Sequence, residues 1–369
     1  MPEATILDDH DKVRQVDRYD MLSFCVDAPR HYEEARKLVK DVSLEHTRPH
    51  AIIIAGMGGS AIGGELLKDW TKDKIGVPVE VCREYSLPEY ADGKTLVFVV
   101  SYSGETEESL SAFLDALKRK CMTVSVSSGG VLQEFAERLS IPHLLVPTGM
   151  APRATLPYLF VLPLMLLDKE GIVSGVGREV SEAIKTLKNV SDANRPDRPL
   201  AENPAKTLSS RILGTIPVVY GFGRYRAVAQ RLKTQFNENS KTPAKWESFP
   251  ELNHNEIVGW EAVRELAKCF SVTFIRDQEE PQSIRHRIEA TGEILHSQSV
   301  KTYEIKAQGG CALARMASAI CTGDFTSVYL AILRGVDPTP VKTINMLKEK
   351  IKRSGTRDKV IGELKKLAK

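Results

Sequence analysis

The sequence predicts an α/β protein with two doubly wound parallel-sheet domains, each an αβα sandwich, flanked by helices at both ends of the chain. Apolar, mostly β-branched runs at 51–55 and 96–100 stop at small and hydroxyl residues and then enter helical patterns. Buried parallel strands read as continuous apolar runs of this kind. The alternation of strand and helix occurs twice, and 369 residues are enough for two domains.

The first domain is predicted over residues 1–168. Two N-terminal helices are expected to pack on it, followed by an alternation of strands and helices. The expected strands are 51–55, 77–82, 96–100, 122–126 and 143–146, and the expected helices are 60–70, 106–119, 131–138 and 156–167.

A charged helical connector is predicted over 169–205, because a proline-rich break follows Asn194. The second domain is predicted over 206–335, and residues 336–369 read as a basic helical tail. The expected strands are 216–220, 245–248, 269–276 and 299–305, and the expected helices are 225–237, 257–266, 283–291 and 311–333. Both halves share one order of elements, which suggests duplication at the level of the fold.

Composition limits the class of function. A net charge of +3 argues for neither nucleic acid nor an anionic membrane as partner. The six cysteines form no CxxC pair, which is typical of thiols in a reducing cytoplasm. The N-terminal ten residues lack a basic segment followed by an apolar one, so no signal peptide is expected. The apolar stretch 156–167 contains two prolines and is too short to span a bilayer.

The first glycine loop, Gly56-Met-Gly-Gly-Ser60, fits more than one function. Gly56, Gly58 and Ala61 match a dinucleotide fingerprint between a strand and a helix. The same loop suits a sugar phosphate, with Ser60 at the opening of the helix, where N–H groups and the helix dipole favour an anion. A purely structural explanation is a tight turn with close helix packing.

The second loop favours the phosphate. Ser101, Ser103 and Thr106 line the end of the next apolar run, and a compact phosphate needs several short donors. Helix capping by Ser103 or Thr106 explains one of these hydroxyls but not three. We therefore predict a phosphate cradle at these two loops.

The chain resembles the bifunctional phosphoglucose/phosphomannose isomerases of the sugar isomerase (SIS) superfamily over residues 15–352. The resemblance is carried by Gly58-Gly-Ser60, Ser101–Glu108, Ala151-Pro-Arg153, Glu238-Asn-Ser-Lys241 and His254-Asn-Glu256. It implies two SIS domains. It also implies reversible conversion of glucose 6-phosphate and mannose 6-phosphate to fructose 6-phosphate through a cis-enediolate. We expect a cytosolic enzyme that needs neither a metal nor another cofactor.

The resemblance also assigns the site. It implies that Arg153 stabilises the enediolate, that Glu238 moves the proton between C1 and C2, and that His254 assists ring opening. It implies a homodimer, with the histidine delivered from the second subunit. A C-terminal lysine completes the set, for which we prefer Lys348 over Lys342. The implied substrate-binding residues are Gly58, Gly59, Ser60, Ser101, Ser103 and Thr106.

Alternatives remain open from the residues alone. Arg153, Glu238 and Lys348 could each be solvated surface charges. Glu105 departs from the Ser-Gly-Asn-Thr pattern usual in the family, and we expect its carboxylate to point away from the phosphate. The competing functions are a non-catalytic sugar-phosphate-binding SIS regulator, a nicotinamide-dependent oxidoreductase and another SIS sugar-phosphate isomerase.

Overall fold

The computed structural model describes residues 6–40, 42–44, 48–261 and 264–369. The strands, in chain order, are β1 Ala51–Gly56, β2 Val79–Cys82, β3 Thr95–Val100, β4 Met122–Ser127, β5 His143–Leu145, β6 Ile216–Phe222, β7 Lys245–Phe249, β8 Phe270–Arg276 and β9 Lys301–Lys306. The helices are α1 His10–Val16, α2 Met21–Val26, α3 Ala28–Ala35, α4 Gly58–Thr71, α5 Glu107–Lys118, α6 Gly130–Arg138, α7 Leu156–Lys169, α8 Val176–Asn194, α9 Pro204–Ile212, α10 Arg226–Glu238, α11 Arg264–Ala267, α12 Gln282–Ser297, α13 Ala312–Leu333, α14 Lys342–Ile351 and α15 Thr356–Leu367.

The chain forms two compact units, each discontinuous in sequence. The first-sheet unit comprises His31–Val180 and Val341–Lys369. The second-sheet unit comprises the residues up to Arg30 and Ser181–Pro340.

The sheet of the first-sheet unit is parallel, in the order β2-β1-β3-β4-β5. Every residue of β1, β3 and β4 is buried, which explains the continuous apolar runs in β1 and β3. Strand β1 is paired with β3 from Ala51 opposite Thr95 to Gly56 opposite Val100. The loops that follow β1, β3 and β4 therefore emerge at one edge of the sheet, where α/β proteins bind ligands.

The C-terminal helix α15 belongs to the core of this unit. Val360 and Leu364 of α15 are buried in one cluster with Leu110 and Phe113 of α5 and with the strands beneath. The predicted basic helical tail therefore forms helices, but its last helix is an integral layer of the first-sheet unit.

The second-sheet unit repeats the strand order, β7-β6-β8-β9, and its strands are again parallel. This order is that of the first four strands of the other sheet, so the predicted duplication is confirmed at the level of the fold. Among the described helices, only α13 is long and apolar enough to cross a membrane. Within its most apolar 18-residue stretch, 83% of α13 is buried inside the protein, as in the core helix of a domain.

The N-terminal helices differ from their prediction. Helix α2 packs on α13 of the second-sheet unit, where Ser191 donates a hydrogen bond of 2.9 Å to the carbonyl oxygen of Val26. The fully buried Lys206 binds the carbonyl oxygen of Leu7 at 2.7 Å. The prediction that this segment packs on the first domain is therefore wrong for α1 and α2. Burial lowers the pKa of Lys206, while Asp8 opposes that shift.

The predicted limits 1–168, 169–205, 206–335 and 336–369 were contiguous, whereas the compact units are not. The connector region contains α8 and leads into α9, and the division between the units falls within α8. The helix expected over 257–266 is replaced by a 3-10 turn at Glu256–Trp260 and the short α11. Residues 262–263 of that prediction, and residues 1–5 of the predicted N-terminus, lie outside the described residues.

Candidate active site

The first glycine loop joins β1 to α4. Helix α4 begins at Gly58, whose φ is +51°. Its first turn has N–H groups without intrahelical acceptors, which suits an anion. Ser60 is buried, and its Oγ lies 3.4 Å from the backbone nitrogen of Tyr102 in the second loop. The two predicted loops are thus neighbours.

The serine loop follows β3, and its hydroxyls bond to one another. Ser101 Oγ donates to Thr106 Oγ1 at 3.0 Å. Thr106 precedes α5 as its N-cap, yet its side chain makes no capping hydrogen bond. Ser103 Oγ accepts the backbone N–H of Glu105 at 3.2 Å. Capping by Thr106 is therefore wrong as an explanation, which leaves the Ser101–Thr106 pair available to a ligand.

Glu105 has its own cationic partner. Its carboxylate pairs with the guanidinium of Arg357 on α15 and accepts the N–H of Val131 at 3.1 Å. These partners are consistent with a carboxylate turned away from the phosphate loops. The negative charge that Glu105 introduces is therefore balanced by Arg357. This ion pair is about half exposed, so it stabilises the fold by at most about 1 kcal/mol.

A third turn, after β4, supports the serine loop and was missed by sequence reasoning. A Cβ on Gly104 would stand 1.9 Å from the carbonyl oxygen of Gly129, so the two turns touch through their backbones. Ser127 Oγ donates to that oxygen at 2.8 Å, and Ser128 Oγ donates to the carbonyl oxygen of Tyr102 at 2.7 Å. The signal was present, because 127–130 repeats the pattern of an apolar run ending in serines and glycines.

His143 of β5 stands behind this turn. Ser125 Oγ lies 2.8 Å from His143 Nδ1, and Ser127 Oγ lies 3.4 Å from Nε2. Burial lowers the pKa of His143, which favours the neutral imidazole that can accept a hydroxyl hydrogen bond. The imidazole therefore helps to orient the serines beneath the loop.

Arg153 lies beside the first glycine loop. It sits in the 3-10 turn Pro152–Thr155, and its side chain is buried, with 3% of the residue exposed. A Cβ on Gly59 would meet the carbonyl oxygen of Pro152 at 3.1 Å and Arg153 Cα at 3.4 Å. The interpretation of Arg153 as a solvated surface arginine is therefore wrong.

Tyr102 holds the arginine loop against the serine loop. Its hydroxyl donates to the carbonyl oxygen of Pro147 at 3.2 Å and accepts the N–H of Met150 at 3.0 Å. The first-sheet unit thus brings together a set of predicted site residues: Gly58, Gly59, Ser60, Ser101, Ser103, Thr106 and Arg153. Clustered hydroxyls and helix-opening amides can hold a phosphate, and an arginine on the adjoining loop can stabilise an oxyanion.

The remaining predicted residues occupy other elements. Glu238 is the half-buried last residue of α10 in the second-sheet unit, and His254 is exposed at the end of the 3-10 turn Glu251–His254. Lys342 and Lys348 are both exposed on α14. Exposure does not separate the two lysines, so Lys348 stays a prediction.

The corresponding edge of the second sheet carries a different cluster. Asp277 follows β8, the counterpart of β3, where it accepts the Tyr225 hydroxyl and lies 3.2 Å from Arg315 Nε. Arg315 also pairs with Glu279. Carboxylates replace hydroxyls here, and the guanidinium already has anionic partners.

We therefore expect each chain to bind one equivalent of sugar phosphate, because Asp277 and Glu279 repel a phosphate at the second edge. Isothermal titration of the protein with fructose 6-phosphate measures the stoichiometry. The variant Ser101→Ala/Thr106→Val should lose the single site. Two equivalents per chain, or one that survives in this variant, would contradict the expectation.

Metal ligation has little support in the described residues. Across 6–40, 42–44, 48–261 and 264–369, no three His, Cys, Asp or Glu residues stand together in an arrangement that could hold a metal ion. Metal independence remains a prediction.

Comparison with known proteins identifies the class of fold. Residues 201–351 match the family profile described as bacterial phospho-glucose isomerase C-terminal SIS domain. A hypothetical protein from Thermus thermophilus shares the fold, with a TM-score of 0.73 and 16% identity over 94% of each chain. The profile and the fold together define an SIS-domain protein.

Two curated relatives specify the family. The chain is 39% identical to a bifunctional phosphoglucose/phosphomannose isomerase from Caldicellulosiruptor bescii, over 88% of this chain and 96% of the relative. It is 35% identical to a protein of the same name from Aquifex aeolicus, over 85% of this chain and 94% of the relative. The chain belongs to the bifunctional phosphoglucose/phosphomannose isomerase family, and it is an isomerase.

Proposed function

We propose that this protein reversibly isomerises glucose 6-phosphate and mannose 6-phosphate to fructose 6-phosphate, without a metal or other cofactor. The observation that carries the proposal is the hydroxyl pair Ser101–Thr106, which no helix cap uses, in the same unit as the buried Arg153. Family membership supplies the substrate class.

In the proposed mechanism, the phosphate binds to the hydroxyls and to the opening of α4. His254 and the C-terminal lysine move a proton between the ring oxygen and the C1 hydroxyl as the ring opens. Glu238 removes the C2 proton of the aldose and returns it to C1, while a hydroxyl proton passes from O2 to O1. Arg153 stabilises the cis-enediolate between these steps.

Dual specificity follows from the intermediate. Glucose 6-phosphate and mannose 6-phosphate differ only in configuration at C2, and both lose that difference when C2 becomes planar. The base then needs to reach either face of the intermediate after a bond rotation. One set of residues can therefore serve both sugars.

We further propose a cytoplasmic homodimer in which His254 acts in the site of the second subunit. The exposure of His254 supports this, because a residue that reaches a partner must lie at the surface of its own chain. All six cysteines lie within the described residues and are thiols, as expected of a protein in a reducing compartment. The reaction would serve glycolysis and gluconeogenesis.

A coupled assay with both aldose phosphates side by side tests the proposal. We expect turnover of both sugars at rates that survive exhaustive chelation. Tight fructose 6-phosphate binding without turnover would instead favour a sugar-phosphate regulator. Activity that is lost on chelation and restored by a divalent metal would contradict the metal-free mechanism.

A further inference from the structure

The two residues after Glu238 are tied to a single serine of α13, within the second-sheet unit. Asn239 Nδ2 donates to Ser327 Oγ at 2.9 Å, and Ser240 Oγ donates to the Ser327 carbonyl oxygen at 2.6 Å. Ser327 Oγ in turn donates to the carbonyl oxygen of Asp324 at 2.7 Å. Asn239, Ser240 and Ser327 are all buried. The bond from Asn239 therefore depends on the Ser327 side chain, whereas the bond from Ser240 uses the backbone at position 327.

Lys241 completes the anchoring of this helix end. Its φ is +50°, in the left-handed region, so the chain turns sharply directly after the helix. Lys241 Nζ donates to the carbonyl oxygens of Glu238 and Pro338, both at 2.7 Å. Arg334 Nε donates to the Ser240 carbonyl oxygen at 3.1 Å. The backbone of Glu238 is therefore held by α13 and the segment that follows it.

An unanchored helix end frays, and a frayed end does not hold a side chain in one place. Proton transfer at carbon requires the base within about 0.5 Å of its productive position. The polar bonds at Asn239 and Ser240 are directional, which apolar packing is not. This chain places several buried polar groups on the residues that adjoin the proposed base.

We propose that Ser327 is a positioning residue whose hydroxyl fixes the carboxylate of Glu238 through Asn239. This inference rests on the proposed function, in which Glu238 is the base. Ser327 itself does not touch the substrate. Its hydroxyl contributes to the rate of proton transfer and not to sugar-phosphate binding, which uses the hydroxyl loops of the first-sheet unit.

The variant Ser327→Ala removes the acceptor for Asn239 Nδ2, and α13 offers a matched control. Ser318 is also buried on α13, its Oγ donates to the carbonyl oxygen of Arg315 at 2.7 Å, and it accepts the N–H of Gln308 at 2.7 Å. We expect Ser327→Ala to lower kcat roughly 10- to 100-fold, with KM within about twofold. Ser318→Ala should leave kcat within about twofold, since its bonds lie away from Glu238.

The other end of the same hydrogen bond provides a second test. Asn239→Ala should reproduce the loss of kcat. The double variant Asn239→Ala/Ser327→Ala should have about the same kcat as each single variant, because both substitutions remove the same hydrogen bond. Titration with fructose 6-phosphate measures the number of folded sites. If Ser327→Ala does not fold, Asn239→Ala takes its place: a fall in kcat with unchanged KM and an unchanged number of fructose 6-phosphate sites supports the inference.

Equal kcat in Ser327→Ala and Ser318→Ala overturns the inference, as does a loss confined to KM or to the number of binding sites. Glu238→Gln separates this failure from failure of the proposed function. If Glu238→Gln is inactive while Ser327→Ala is unaffected, Glu238 remains the proposed base and only the positioning role of Ser327 is refuted. An active Glu238→Gln removes the proposed base itself.

Discussion

Replacing Glu238 by glutamine should lower turnover of both aldose phosphates by about 10³-fold or more. The amide has nearly the shape of the carboxylate but cannot accept the C2 proton. Glu238 ends α10, and the anchoring by Asn239, Ser240 and Lys241 is unaffected by the change. We therefore expect the affinity for fructose 6-phosphate to change by less than about threefold.

Exchange of the sugar's carbon-bound proton with solvent deuterium, followed by NMR, measures this step directly. Exchange should stop in Glu238→Gln together with net turnover. Glu289→Gln is the control, because Glu289 is an exposed carboxylate on α12 of the same unit. Undiminished exchange in Glu238→Gln would remove Glu238 from the role of base.

Replacing Arg153 by methionine should lower kcat by about 10²- to 10³-fold, the usual effect of removing one preorganised group that stabilises an oxyanion. Arg153 is buried, so solvent does not replace its charge. Arg153→Lys keeps a positive charge without the planar fork, and an intermediate rate is expected. Steady-state kinetics beside fructose 6-phosphate titration separates the effect on rate from that on binding.

Arg138→Met is the control for Arg153→Met, since Arg138 is half exposed on α6 of the same unit and pairs with Glu134. The melting temperatures of both variants show whether a loss of packing around the buried side chain contributes to the effect. If Arg153→Met retains more than about a third of the wild-type kcat while its phosphate affinity falls, Arg153 binds the phosphate and does not stabilise the enediolate.

The fold follows from the sequence wherever a strand is buried on both faces. The runs at β1 and β3 contain only residues that a sheet interior accepts, and the serines and glycines after them mark the edge where the helices begin. The hydroxyl loops were predictable for the same reason. Burial of Arg153 was not, because Pro152 and Gly59 meet only when the loops are folded together.

Contacts between segments that are distant in sequence could not be predicted from local sequence patterns. Lys206 looks like an ordinary helix lysine in sequence, yet its ammonium binds the carbonyl oxygen of Leu7 at the N-terminal end of its unit's sequence. Helix α15 has a basic composition, but its residues Val360 and Leu364 are buried in the core of the first-sheet unit. Contacts between segments so far apart along the chain leave no periodicity to detect.

We propose that the hydroxyl loops and Glu238 act on one sugar phosphate. A crystal structure of Glu238→Gln with bound fructose 6-phosphate is the decisive experiment. We expect the phosphate on Ser60, Ser101, Ser103 and Thr106, with the side chain at position 238 about 3 Å from C1 or C2. A phosphate bound elsewhere, or a residue 238 distant from the sugar in every subunit, would show that the loops and Glu238 do not form one active site.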